Sequence, residues 1–157
     1  MKKLLALMIF VLSFSTFSFA QTRYGTYIND RFSFSVLYPP GLLKMQPPPE
    51  NNDGRTFLSR DSSVEMRAWG QYNAFSRTLR EEYEDALKGF GEKPSYMMLG
   101  KSSFVLSGIK EGKIFYQKTL YRKNNDAFYT LTIEYPQTQR KKYDPIVTRI
   151  SNSFRLV

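Results

Sequence analysis

The sequence predicts an α+β fold, in which an antiparallel β-sheet is flanked by two main helices as an α/β/α sandwich. Two observations lead to this class. Several segments alternate apolar and polar residues with a period of two, which is typical of half-buried strands, and two segments repeat apolar residues at helical spacing. Their order is strands, helix, strands, helix, and a sheet with helices packed on it buries all of these apolar surfaces.

Residues 1–20 predict a secretory signal peptide. Two lysines precede an apolar run at residues 4–12, and Ser18 and Ala20 are small residues suited to cleavage before Gln21. The run is shorter than the about 20 residues that a membrane span requires, so we expect no stable membrane anchor. The alternative is a single N-terminal anchor helix. Cleavage would place the protein in the periplasm or outside the cell.

Residues 21–157 are enough for one globular domain with a core of its own. The chain contains no cysteine, so we expect packing to stabilise the fold without disulfides. Without the two lysines of the signal, 21 Lys and Arg stand against 14 Asp and Glu, a net charge of +7. Such a charge attracts anionic surfaces, although it also serves simply to keep a protein soluble.

The first predicted strand is residues 32–38, where large apolar residues occupy every second position. Pro39 and Pro40 follow and end the sheet pairing, because proline donates no ladder hydrogen bond. Residues 46–55 predict a polar loop, stiffened by three consecutive prolines at positions 47–49. Such a triplet can dock in an aromatic groove of another protein, but we favour a rigid connection.

Two further strands, at residues 56–59 and 63–72, lead into the first helix. Trp69 falls on the polar face of the second of them, and we expect the helix that follows to cover it. Thr78 and Glu81 form a capping box at the helix start. Glycines end this helix. Its row of four acids lies opposite the apolar stripe and indicates a solvated face.

The second half of the chain is rich in strands. We predict them at residues 95–99, 104–109, 113–122 and 128–135, and the last three would form a meander with turns at residues 110–112 and 124–126.

A second helix closes the chain. Asp144 is suited to the N-cap position, and Pro145 is suited to the first helical position. The sequence therefore predicts that the helix begins at Pro145.

Phe32-x-Phe34, the following Tyr38-Pro39 pair and the element order resemble PsbP-like domains. This superfamily includes the extrinsic P protein of photosystem II and bacterial DcrB-type envelope proteins. Leu42 and Leu43 stand where many members carry a tryptophan. The resemblance implies an α/β/α sandwich and a binding or assembly role without catalysis, although fold alone does not give function.

The sequence lacks the usual catalytic equipment. It contains neither His nor Cys, which excludes a Ser-His-Asp triad, a thiol nucleophile and the soft metal ligands. No glycine-rich phosphate loop is present. A carboxylate pair drawn from Asp61, Glu65 and Glu134 remains open. We therefore expect no enzyme, no metal site and no cofactor.

The remaining chemistry is basic and aromatic. The cluster at residues 140–142 lies just before the second helix, and other basic residues stand at predicted hairpin ends. If these ends meet, they form one positive edge. The tyrosines beside them could bind a partner, but for most of them we favour packing with the ring in the core. The candidate partner-binding residues are Arg140, Lys141, Lys142, Tyr143, Lys110, Lys113, Arg122, Lys123 and Tyr121.

Three functional hypotheses follow. The first is an accessory protein that docks on another envelope protein, a class that includes inhibitors and immunity proteins. The second is a basic module that binds an anionic envelope polymer, whose binding would collapse with salt. The third is a carboxylate-dependent hydrolase. We expect no nucleic-acid partner, because the basic residues are scattered along the chain.

Overall fold

The computed structural model describes residues 22–91 and 93–157. The predicted signal peptide at residues 1–20 lies outside them. In chain order the elements are β1 (Gly25–Asn29), β2 (Phe34–Tyr38), β3 (Lys44–Met45), β4 (Gly54–Leu58), β5 (Glu65–Tyr72), α1 (Leu79–Phe90), β6 (Tyr96–Leu99), β7 (Ser103–Lys110), β8 (Lys113–Arg122), β9 (Ala127–Pro136), α2 (Arg140–Ser153) and β10 (Arg155–Leu156). None of the helices in this part of the chain is long and apolar enough to span a membrane.

The strands form two antiparallel sheets. The large sheet has the order β3-β4-β5-β9-β8-β7-β6, and the small one has the order β1-β2-β10. The α+β class is therefore confirmed. The small sheet joins the two chain halves, because Arg155 of β10 pairs with Ser35 of β2.

The large sheet has two differently covered faces. We call the first the α2 face; it carries Met66, Leu131 and Ile133, which are at most 1% exposed and pack in one core cluster with α2 and the small sheet. We call the other the α1 face; there the Tyr83 ring meets Phe104 at 5.5 Å and Phe90 meets Phe115 at 5.4 Å. The sheet thus lies between α1 on one side and α2 with the small sheet on the other.

Helix α1 begins as predicted. The Thr78 hydroxyl accepts a hydrogen bond from the Glu81 amide at 3.2 Å, and the Glu81 carboxylate accepts from the Thr78 amide at 2.7 Å. Its acids are less solvated than predicted, because Glu82 and Asp85 both pair with Arg77.

The predicted start of α2 is wrong. The helix begins at Arg140, and Pro145 lies inside it. Asp144 is no N-cap, since its carboxylate accepts from the Tyr135 hydroxyl at 2.7 Å and from Arg140 Nε at 3.2 Å. The earlier start buries Tyr143, whose ring lies 5.6 Å from that of Tyr135. This packing outweighs the one backbone hydrogen bond that Pro145 cannot donate.

The first predicted strand is shorter than expected. Ser33 has a φ of +53°, so β2 begins only at Phe34 and Phe32 lies in the turn before it. Phe32 is nevertheless buried, because its ring fills the space that Gly70 leaves on β5. The short strands β3 and β10 and the strand β1 were not predicted.

The structure also covers Trp69 differently from the prediction, which placed helix α1 over it. α1 packs over β7 and β8, while the prolines at positions 47–49 line a groove of about 510 Å³ beside Trp69 and Arg67. The indole is half-buried there. Its Nε1 donates to Gln71 at 3.5 Å, and Gln71 donates to Glu82 of α1 at 3.4 Å.

The turn between β4 and β5 is organised by Asp61. One of its oxygens accepts hydrogen bonds from the Ser59 hydroxyl at 2.6 Å, the Ser63 hydroxyl at 2.9 Å and the Ser63 amide at 3.1 Å. These bonds lower the pKa of Asp61 to about 2, with the largest effect from the Ser59 hydroxyl and smaller effects from Ser63. The turn thus fixes the register in which β4 meets β5.

The first prediction concerns Gly70. A Cβ at this position would lie 2.4 Å from the Phe32 ring, so we expect Gly70→Ala to lower the free energy of unfolding by about 1–3 kcal/mol. Gly41→Ala is the matched control, because a Cβ there meets nothing within 4 Å. Denaturant unfolding measures both, and equal stability of the two variants would contradict the packing described.

The second prediction concerns pH. Because the pKa of Asp61 is about 2 in the folded protein and 3.8 is its ordinary value, the stabilisation from its carboxylate is fully present above pH 3.8 and disappears as the pH falls through 2. We therefore expect wild type to be more stable than Asp61→Asn at neutral pH, with the difference vanishing near pH 2. NMR titration of the carboxyl checks the pKa directly, and Ser59→Ala should raise it. An unchanged pKa in Ser59→Ala would disprove the proposed cause.

Candidate protein-binding surfaces

The candidate basic residues do not form one positive edge. Lys113 begins β8 and Arg122 ends it, and this strand of ten residues places the two roughly 30 Å apart. Lys110 stands opposite Lys113, and Lys123 follows Arg122. The expected edge is therefore split between opposite ends of the large sheet.

The end of the large sheet that lies beside the start of helix α2 holds five of the candidate residues. The Gln137 amide donates to the Gly112 carbonyl at 3.0 Å, which brings the start of α2 beside the β7–β8 turn. Lys110 is half-buried, and the other four are exposed. Arg140 is partly neutralised by Asp144. The five residues are Lys110, Lys113, Arg140, Lys141 and Lys142.

Tyr143, also predicted to bind a partner, is only 3% exposed. Its ring packs against Tyr135, and Lys142 lies over it with Nζ 5.0 Å from the centroid. The prediction of a surface role for Tyr143 is wrong, because the aromatic core requires this ring. Sequence spacing could not separate it from the exposed residues of the same helical turn.

A cavity of about 380 Å³ lies between α2 and the β7–β8 hairpin. Tyr135 borders it. Burial is the main cause that raises the pKa of the Tyr135 hydroxyl, and the hydrogen bond to Asp144 raises it further. Tyr116 also borders it, hydrogen-bonded to Ser151, and burial raises its pKa as well. Both hydroxyls therefore stay protonated at neutral pH, so the cavity contains hydrogen-bonding groups already used in packing.

The opposite end of the sheet combines charge with exposed aromatics. We define the hairpin-end surface as Tyr72, Phe75, Tyr121, Arg122 and Lys123. The Phe75 side chain is 86% exposed, more than any other large apolar residue in residues 22–91 and 93–157. Tyr72 is 59% exposed. Tyr72 and Arg122 lie on either side of Ala127 in the sheet. Three of the predicted binding residues therefore lie beside aromatic side chains that the sequence analysis did not single out.

The loop that carries Phe75 is fixed by hydrogen bonds. The Asn73 amide donates to the Asp126 carbonyl at 2.8 Å, and the Asn73 side chain donates to the Asp126 carboxylate at 2.9 Å. The Asn73 side chain also accepts from the Arg77 amide at 2.8 Å. These bonds close the loop from both sides, so Phe75 is held in solvent on an ordered support.

Asp126 connects this loop to the β8–β9 hairpin. Its carboxylate accepts hydrogen bonds from the Asn73 side chain and from the Tyr121 hydroxyl. Both bonds lower the pKa of Asp126, and the bond from Asn73 has the larger effect. The bond to Asp126 raises the pKa of Tyr121. The Tyr121 ring also stacks on Phe128 at 4.9 Å. Tyr121 therefore supports the surface, while Arg122 and Lys123 supply its charge.

The carboxylates proposed for hydrolysis are only partly brought together. Glu65 and Glu134 stand directly opposite each other in β5 and β9, a pairing that the sequence analysis did not identify. Glu65 pairs with Arg67 at 2.5 Å, and Asp61 is engaged in its turn. A glycosidase needs two carboxylates in one pocket. Glu134 borders a cavity of about 690 Å³ between α1 and β8, but Glu65 does not line it. In residues 22–91 and 93–157, no group of three metal-ligating side chains is found.

Comparisons with known proteins identify the fold. No protein-family model matches the chain, and no curated protein does. The solution structure of cyanobacterial PsbP (CyanoP) from Synechocystis superposes with a TM-score of 0.56 at 9% identity, over 89% of this chain and 96% of that one. The Saccharomyces cerevisiae Ran-binding protein Mog1p gives a TM-score of 0.57 at 9% identity, over 87% of this chain and 96% of that one.

A Bacteroides thetaiotaomicron protein gives a TM-score of 0.52 at 12% identity and covers 84% of this chain, which spans 48% of that protein. The predicted resemblance is therefore confirmed at the level of fold, and a closer relation to DcrB-type proteins stays a prediction. The chain has a PsbP/Mog1-like fold.

Proposed function

We propose that this protein is a non-catalytic accessory protein that docks on another protein of the cell envelope through the hairpin-end surface. The observation that carries the proposal is Phe75, an apolar side chain 86% exposed on a loop fixed by hydrogen bonds. The ring contributes nothing to the core, and it leaves an apolar surface on which a partner can dock.

The support beneath Phe75 favours binding energetically. Protein interfaces derive most of their affinity from a few aromatic and arginine residues at their centre. Ordering a mobile loop costs free energy on association, and a loop already fixed in its bound shape avoids that cost. Asn73 and Asp126 supply this order before any partner arrives.

The charge of the surface indicates the kind of partner. Arg122 and Lys123 border the aromatic residues, and Lys101 lies nearby because the Tyr121 amide bonds the carbonyl of Ser102. An acidic patch around an apolar pocket on the partner is complementary to this arrangement. The envelope location rests on the predicted signal peptide. The likeness to Mog1p, a Ran-binding protein, supports a protein partner in general.

The division of the basic residues between two ends argues against the anionic polymer as the main ligand. A polymer gains affinity from many charges along one continuous track, whereas the hairpin-end surface places only a few charges beside aromatic rings. The inhibitor and immunity roles remain special cases of the same docking function.

The third prediction tests this surface in the native envelope. A photo-crosslinking residue at position 75 should capture one protein in near-equal amount, and the capture should survive high salt, because apolar contacts carry the affinity. Against that purified partner, we expect Phe75→Ser to weaken binding about tenfold or more while leaving the melting temperature unchanged.

Matched variants separate the parts of the surface. Lys123→Glu should slow association and Lys141→Glu, at the other end of the sheet, should not. Asn73→Ala should weaken binding while Phe75 is still present, because the loop loses its support. Capture that disappears in salt, or binding that is equal in wild type and Phe75→Ser, would disprove docking through this surface.

A further inference from the structure

Strand β6 forms an uncovered edge of the large sheet. Its four residues, Tyr96–Leu99, pair only with β7, and three of them are exposed: Tyr96 at 53%, Met97 at 41% and Met98 at 42%. Tyr96 and Met98 lie on the α2 face and Met97 on the α1 face, so apolar side chains emerge on both sides of this strand.

The hydrogen-bond pattern shows which backbone groups point outward. The Gly100 amide donates to the Ser103 carbonyl at 2.8 Å, which makes these two residues a hydrogen-bonded pair. Such pairs alternate along an antiparallel ladder, so Met98 also bonds to β7, while Met97 and Leu99 do not. The amides and carbonyls of Met97 and Leu99 therefore point away from the sheet.

The other edge of the same sheet is protected. β3 has only two residues, and the prolines at positions 47–49 follow it closely. Short edges and prolines are the usual devices that prevent further strand pairing. β6 has four residues, and Pro94 precedes it by two positions, but no proline and no charged residue lies within Tyr96–Leu99 itself. Among the described residues, β6 is thus the edge of the large sheet on which a further strand can add.

The charges beside β6 select the added strand. Lys93 and Lys101 stand four residues to either side of Met97, and both are exposed. In a second copy paired antiparallel about Met97, each lysine would face a lysine, which is unfavourable. Lys101 also adjoins the positive hairpin-end surface. An incoming strand with acidic residues at its ends has the complementary charge.

We propose that β6 is a docking edge for an extended segment of a partner protein, with alternating apolar side chains at its centre and acidic residues at its ends. The segment would bond the outward amides and carbonyls of Met97 and Leu99 as an added strand of the sheet, and its apolar side chains would cover Tyr96 and Met98. This surface is separate from Phe75 and can be tested independently.

The fourth prediction tests this edge with a displayed library of random ten-residue peptides selected against the purified protein. We expect enrichment of β-branched centres with Asp or Glu at the ends. Met97→Pro should weaken the selected peptides at least tenfold, because proline removes the outward donor without touching the bonds to β7. Met97→Leu should bind them normally, and so should Phe75→Ser, which is altered only in the hairpin-end surface.

Charge reversal gives a second, independent readout. Lys93→Glu combined with Lys101→Glu should shift the selected peptides from acidic to basic ends, a result that needs no proline and no change in β6 itself. The absence of enrichment, or equal binding to Met97→Pro, would overturn the proposal. Concentration-dependent self-association that Met97→Pro abolishes would also overturn it, since the occupant would then be a second copy of the chain.

Discussion

The fold depends on the burial of one aromatic ring, that of Phe34. It is fully buried and makes edge-on contacts with Tyr27 at 5.9 Å, Tyr129 at 6.2 Å and Phe154 at 5.7 Å. These rings come from the small sheet, the large sheet and the end of α2. In a chain without cysteine, such packing has to supply the connection that disulfides give many small secreted domains.

The location of the two proposed binding surfaces follows from which aromatic side chains the core uses. Most aromatic side chains between the large sheet and helix α2, such as Tyr129, Tyr135 and Tyr143, are buried in the core and are therefore unavailable to a partner. Aromatic and apolar residues that the core does not use are left at the hairpin end and on β6. Both surfaces adjoin strands that are mostly buried, β7 beside β6 and β9 at the hairpin end, so they are presented on rigid supports.

Much of the fold follows from local patterns. The meander from β7 to β9 and the start of α1 were predictable because alternation, turn residues and the capping box all act over a few residues. The start of α2 was not, because the burial of Tyr143 against Tyr135 is a tertiary contact that overrides the local preference of Asp144 and Pro145. For the same reason, spacing alone could not place the basic residues at opposite ends or show Glu65 opposite Glu134.

The pairing of β10 with β2 constrains the order in which this chain can fold. The Val157 amide donates to the Ser33 carbonyl at 2.9 Å, and the Leu37 amide to the Ser153 hydroxyl at 2.9 Å, so contacts near residue 35 wait for residues more than a hundred positions later. Closing so long a loop is slow, because its entropic cost precedes any gain from the contacts it makes. During synthesis the ring of Phe34 therefore stays uncovered on the Phe154 side until the last strand emerges.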